Sequence, residues 1–441
     1  MTRAYIPMTD PDREAMLAAI GVASADELFK DIPAAGIISA VESIPPPISE
    51  MELLQEMKRL GGMNTAAGDV AFFRGGGIYR HFTPTVVSEI LRRGEFLTSY
   101  TPYQAEASQG TLQAAFEFQS IICTLTGMEV ANAGMYDGAS ALAEACLMAC
   151  RVTGRHRLAI ADSINPRHLE VVRTYVEPQG IGIDIVDPAS PALSELHSCF
   201  VLQSPDYEGR IILSDGGPKQ LADAAGALLV VSADPMSLAL FKSPGELGAD
   251  IVVGEGQALG LPMSFGGPYV GLFTCKQQHI RQLPGRIVGQ TTDLEGRRAF
   301  VLTLQAREQH IRRERASSNI CTSEQLLALA VAVYVATVGK EGLRQVARLC
   351  YDKAHYAAAE IAKLPGYALC NPDTPFFQEF VIETPQSVAA TNARLRERGI
   401  VGGIDVSKEV DNRMLLCVTE TNSREEIDRL VAALAEIGGA E

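Results

Sequence analysis

The chain has 441 residues, 47% of them hydrophobic, enough apolar material for a large core and for two lobes sharing an interface. A formal charge of −15 and a pI near 5.1 argue against nucleic acid or an anionic membrane surface as partner, because a polyanion is repelled at long range. Small molecules and proteins are the expected partners.

The first 65 residues read as a helical arm. Helical patterns cover residues 10–20 and 24–29, the Pro45-Pro46-Pro47 triplet imposes extended chain without amide donors, and a helix follows over 49–60. The amino-terminal string MTRAYIPMTDPDRE lacks an apolar core of signal-peptide length, so the cytoplasm is the expected compartment. Residues 66–322 read as a large α/β domain. An amphipathic helix from about Ala105 carries Leu112, Ala115, Phe116, Gln119, Ile122 and Leu125 at steps of three or four and should pack on a sheet. Apolar runs at 158–161, 183–186, 200–202, 228–231, 251–253 and 270–273 alternate with helical patterns, which predicts a mainly parallel sheet. Residues 323–441 read as a smaller α/β domain, with a helix over 323–338, strands over 376–382 and 413–418, and helices over 385–398 and 423–437. The longest apolar run, 326–338, is shorter than the roughly 20 residues of a membrane span and lies between Glu324 and Lys340, so it reads as a buried helix.

Cysteine and histidine chemistry finds little support. Nine cysteines form no C-x-x-C pair, and Cys146 and Cys150 share a helical face suited to core packing. No H-E-x-x-H or clustered Asp/His pattern points to a metal. Gly75-Gly76-Gly77 is not a G-x-G-x-x-G fingerprint and reads as a structural turn. The loop ANAGMYDGAS (131–140) enters a helix through small residues. Asn132, Gly134, Asp137, Gly138 and Ser140 there suit either an anion site at the positive helix end or a plain cap with Asp137 as N-cap. Tyr100 and Tyr103 bracket a proline that fixes their loop, so they can present rigid hydroxyls or simply pack. Arg307, Arg312, Arg313 and Arg315 make a basic cluster in an acidic chain; Glu308 stands four residues before Arg312, which suggests local ion pairs, and Arg312 with Arg313 suggests a docking patch for an acidic partner.

Several long strings, among them FRGGGIYRHFTPTVV (73–87), LTSYTPYQAEASQG (97–110), LTGMEVANAGMYDGASALAEA (125–145), GADIVVGEGQALGLPMSFGGP (248–268) and REQHIRRERASSNICT (307–322), resemble the glycine cleavage system P-protein family. The resemblance implies the fold of type-I pyridoxal phosphate enzymes, like aspartate aminotransferase, with a mostly parallel central sheet and a smaller carboxy-terminal lobe. It places the chain with the amino-terminal half of a split, two-subunit P-protein, usually called subunit 1. Between Ser243 and Cys275, where the family's cofactor lysine belongs, there is no lysine: Gln257 or Ala258 occupies the neighbourhood, and neither an amide nor a methyl group forms an imine.

The resemblance therefore implies that pyridoxal phosphate is bound covalently by the homologous subunit 2, in a heterotetramer with two copies of each chain. No catalytic residue is expected in this chain itself. The assembly would decarboxylate glycine and pass the aminomethyl group to the lipoyl arm of H-protein. Tyr100 and Tyr103 would reach the partner's pocket, and loop 131–140 would be a relic of a phosphate cradle. Asp234, at a strand end, would face the cofactor's pyridine nitrogen or serve as a turn-forming Asp-Pro. Two alternatives remain: an independent pyridoxal enzyme using Lys242, and a non-catalytic regulatory protein of the same fold.

Overall fold

Among the described residues of the amino-terminal unit, Met1–Thr65, two α-helices start on caps written into the sequence. Thr9 caps Asp10–Ile20 and Ser49 caps Glu50–Gly61, each forming a reciprocal capping box with the acidic residue three positions on, Asp12 or Glu52. Between them Ala25–Phe29 is a 3-10 helix rather than an α-helix. The computed structural model describes residues 7–33, 44–407 and 412–439; the first six residues of the amino-terminal string lie outside the described residues.

The second unit, Ala66–Glu441, is built on a seven-stranded sheet. After a two-residue strand β1 (Ala71–Phe72) come β2 (Val130–Ala131), β3 (Arg157–Ala161), β4 (Gly182–Val186), β5 (Cys199–Ser204), β6 (Leu228–Ala233), β7 (Ile251–Glu255) and β8 (Gly271–Cys275). Their order is β2-β8-β7-β6-β5-β3-β4, with β8 antiparallel to both neighbours and the other pairs parallel. The central strands are apolar on both faces because helices cover both, so Val230, Val231, Ile251 and Val252 are all buried. Helix Gly138–Thr153 lies on one face through small side chains, Ala141, Ala145 and Ala149, none of them exposed at all. Helix Gln109–Thr126 starts four residues later than the pattern predicts, a 3-10 turn Ala105–Ala107 standing before it.

Two features depart from the sequence expectation. An antiparallel hairpin, β9 (Ile287–Thr292) with β10 (Arg298–Thr303), occupies a stretch given no element; its tip is closed by Asp293, whose carboxylate accepts from the Glu295 and Arg297 amides. The helix expected to end at residue 338 continues to Ile361 across a break at Gly339 (φ 63°, ψ −179°). Gln325–Ile361 is long and apolar enough to cross a membrane by length and composition, yet its apolar half stops at that break and Ala328, Ala330, Val331 and Tyr334 are buried in the core.

The carboxy-terminal lobe has a four-stranded antiparallel sheet formed by β11 (Ala368–Leu369), β12 (Glu379–Glu383), β14 (Ile404–Asp405) and β15 (Arg413–Cys417), covered by helices Val388–Arg396 and Arg424–Gly438. β13 (Ile400–Val401) pairs instead with β1, in parallel. Ala71 and Phe73, counted with the large domain from sequence, thus pack in this lobe's core beside Ile382 and Leu416. The Gly75-Gly76-Gly77 turn brings the chain back to the large sheet. A Cβ on Gly75 would strike the Glu379 carboxylate, and Gly76 has φ 88°, so the glycines serve close approach and a left-handed turn.

Candidate functional site

A small cavity opens at the carboxyl ends of β5, β6 and β7, the edge at which open α/β sheets place their ligands. Gln203, Asp234 and Glu255 reach it from the sheet, and Gln378 and Glu379 close it from the carboxy-terminal lobe. Asp234 serves as the turn residue: Oδ1 accepts the Met236 amide at 2.9 Å, while Oδ2 accepts Gln378 Nε2 at 3.0 Å and so ties the two lobes. Glu379, also buried, accepts the Gly76 amide at 2.6 Å and the Tyr79 hydroxyl at 2.8 Å.

The strand end after β7 decides what the cavity can hold. Gln257, 1% exposed, accepts the Tyr79 amide at 2.9 Å and donates to the carbonyls of Tyr79 and Leu261, both at 2.8 Å. Its amide is a latch on backbone. Ala258, the other candidate for the lysine position, is 2% exposed and lines the cavity wall. Two residues before Gln257, Glu255 turns its carboxylate onto the amino end of helix Gly138–Thr153, where the Gly138 amide donates to it at 2.9 Å. Its second oxygen accepts the Gln257 amide at 3.0 Å.

Loop 131–140 is a capped helix start, and the chain's own Glu255 carboxyl occupies the first amide of that helix. Asp137 caps the helix by accepting the Ser140 amide at 2.7 Å, Glu255 takes the Gly138 amide, and Asn132 braces the loop by accepting the Gly134 amide.

A pyridoxal phosphate does not fit this site. The cavity measures about 40 Å³, against the ~300 Å³ or more of ordinary ligand pockets. Its phosphate would compete with Glu255 for the helix end, and no amine waits at position 257. Lys242 is exposed and is not among the cavity's lining residues.

Burial shapes the site's titration. It pushes the Glu255 carboxyl up to about 8, with Asp137 nearby adding to the rise, and the Glu379 carboxyl up to about 7. Both folded values lie above the unfolded one, so the folded state holds extra protons and the associated stability, complete below about pH 4, is lost as pH rises towards 7–8. The thermal midpoint should fall between about pH 5 and about pH 8, and Glu255→Gln, which keeps an acceptor for Gly138 but cannot ionise, should make that fall shallower. Equal slopes for both proteins would show that Glu255 does not titrate in this range.

The remaining sequence candidates lie elsewhere on the unit. Pro102 is buried and anchors the tyrosine loop, leaving Tyr100 75% and Tyr103 48% exposed. Tyr103 is positioned by Arg286, which donates to its hydroxyl at 3.2 Å and lies 5.4 Å from the ring centroid. The basic cluster divides. Arg307 points inward to the Gly285 carbonyl, whereas Arg312, Arg313 and Arg315 are exposed. The expected Glu308–Arg312 ion pair does not form among the described residues, because Glu308 is 6% exposed and turns towards Arg286 instead. The helix also ends at Arg312, with Arg313 at φ 52°. Glu255, Tyr79 and Glu379 were not foreseen; an acidic residue closing an apolar strand, two positions before the missing lysine, was the available signal for Glu255.

Comparison with known proteins agrees with this architecture. The profile of the glycine cleavage system P-protein matches residues 3–434. A protein of Desulforamulus reducens described as probable glycine dehydrogenase (decarboxylating) subunit 1 is 48% identical over 98% of this chain and 99% of its own length. A crystal structure of glycine decarboxylase (P-protein) of the glycine cleavage system, in inhibitor-bound form, superposes with a TM-score of 0.91 at 44% identity, covering 98% of this chain and 99% of that one. A C-DES mutant with glycine covalently linked to its pyridoxal phosphate shares the fold at a TM-score of 0.62 and 14% identity, over 84% of this chain and 97% of that one. With the fold of pyridoxal phosphate enzymes and a match along nearly its whole length, this chain belongs to the glycine cleavage system P-protein family.

Proposed function

We propose that the chain is subunit 1 of a two-subunit glycine dehydrogenase (decarboxylating), and that the homologous subunit 2 holds pyridoxal phosphate on its own lysine. The observation that carries this reading is the β7 end, where Glu255 fills the helix terminus and Gln257 fastens backbone, in a chain that matches subunit 1 relatives along its length. The cofactor, when bound in the partner, supplies the electron sink for decarboxylation. The aminomethyl group then passes to the lipoyl arm of H-protein. In this reading the assembly is cytoplasmic, with two copies of each subunit. Tyr100 and Tyr103 extend towards the partner's pocket on a loop pinned by Pro102 and Arg286, and Arg312 with Arg313 form a docking patch for an acidic protein.

The test is to purify the chain alone and together with its homologous partner, and to measure glycine-dependent carbon dioxide exchange and borohydride-trapped cofactor in each. Exchange should appear only with the pair, and the trapped label only on the partner. Exchange or label from the lone chain would overturn the assignment. For the docking patch, the double charge reversal Arg312→Glu with Arg313→Glu should lower assembly or turnover most at low salt. Unchanged assembly and turnover across salt concentrations would remove the patch from the proposal.

A further inference from the structure

Outside the residues that line the cavity, His81, Cys350 and Glu420 bring one ligand atom each to within 4.8 Å of one another. They come from the segment after the glycine turn, the long helix and the loop after β15, so no sequence motif announces them. His81 Nδ1 lies 2.7 Å from Glu420 Oε2, and Cys350 Sγ donates to that same oxygen at 3.3 Å. The side chains of His81 and Glu420 are 1% and 9% exposed, and Cys350 is wholly buried. The other Glu420 oxygen is fixed by the Phe82 amide at 2.6 Å. His81 Nε2 is buried and has no hydrogen-bond partner among the described residues.

We propose that His81, Cys350 and Glu420 form a binding site for a divalent metal ion of the zinc class. Imidazole, thiolate and carboxylate are the ligand types zinc takes, at about 2.0–2.3 Å, in tetrahedral geometry that separates neighbouring ligand atoms by about 3.3–3.7 Å. The His81–Glu420 pair needs to open by roughly half an ångström for this, and the Cys350–Glu420 separation already suffices. A water supplies the fourth position.

The proton balance is simple. An ion bound at Nδ1 displaces any proton shared there with Glu420, and Cys350 releases its thiol proton to solvent, so each ion bound liberates at least one proton. Burial and the neighbouring Glu420 hold the Cys350 thiol well above its ordinary pKa, so the ion must displace that proton. The ion's two charges are then balanced by one thiolate and one carboxylate. Lys353 holds the Glu420 loop by donating to the Glu420 and Asn422 carbonyls. Bound there, the ion would staple the carboxy-terminal lobe to the long helix.

The experiment is a cobalt(II) titration of the full-length chain, in reduced form, followed by zinc competition. One equivalent should bind with a thiolate-to-cobalt absorption band and the visible bands of a tetrahedral ion, release at least one proton, and be displaced by zinc, which also raises the thermal midpoint. Cys350→Ser should remove the thiolate band, and Glu420→Gln or His81→Gln should weaken binding at least about tenfold. Cys321→Ser, which alters an exposed thiol, should change nothing. A wild-type chain with no thiolate band at saturating cobalt overturns the proposal without recourse to variants. So does a band that persists in Cys350→Ser or vanishes in Cys321→Ser.

Discussion

Gln257→Lys is expected to weaken the fold and not to create a cofactor site. A lysine ammonium could replace the two donations that the glutamine amide makes to the Tyr79 and Leu261 carbonyls, but it accepts nothing, so the Tyr79 N–H is left unpaired in a place where residue 257 is 1% exposed. An orphaned buried donor together with a buried charge costs about 3 kcal/mol. The cofactor gains no foothold in exchange. The cavity keeps its roughly 40 Å³, and Glu255 keeps the helix end that a phosphate would need. Thermal denaturation should show a clear drop in midpoint, and incubation with pyridoxal phosphate followed by borohydride should add no mass to the variant. A reduced pyridoxyl group recovered on position 257 would mean that the pocket opens far more readily than its packing implies.

The parallel sheet was legible because its central strands are buried on both faces and read as plain apolar runs, and the capped helices were legible because Thr9, Ser49 and Asp137 announce their own starts. The hairpin β9–β10 was not, since residues 289–299 turn mostly polar and only Ile287, Val288, Phe300 and Leu302, at its base, are well buried. Nor was the second half of the long helix, because Gly339 and the polar stretch after it imitate a stop. The missing lysine could be seen directly. What closes the pocket in its place could not, because it depends on contacts across long separations: Gly138 with Glu255 over 117 residues and Tyr79 with Glu379 over 300. Local pattern reports a side chain's type and period; it says nothing about which distant backbone amide will meet a carboxylate.

Gly209→Ala is expected to be among the most damaging single-methyl additions in the protein. Gly209 has φ 87°, and a Cβ there would run into the Glu379 carbonyl oxygen, on the first residue of β12. That oxygen cannot retreat freely, for Glu379 pairs with Cys417 in the carboxy-terminal sheet and its side chain holds Gly76 and Tyr79. Gly154 separates the two costs. It ends helix Gly138–Thr153 at φ 70°, with nothing within 4 Å of where a methyl would stand, so Gly154→Ala meets only the left-handed backbone penalty of about 1–2 kcal/mol. Gly209→Ala meets that penalty and a collision with backbone besides, worth at least about 2 kcal/mol more. Because the collision pushes on β12, it should also disturb the Tyr79–Glu379 contact and loosen the junction between the lobes, which limited proteolysis would register as faster cleavage between the large sheet and the carboxy-terminal lobe. Equal midpoints for the two variants would show that Gly209 is chosen for its backbone handedness alone and that the lobes do not meet as tightly there as the distances require.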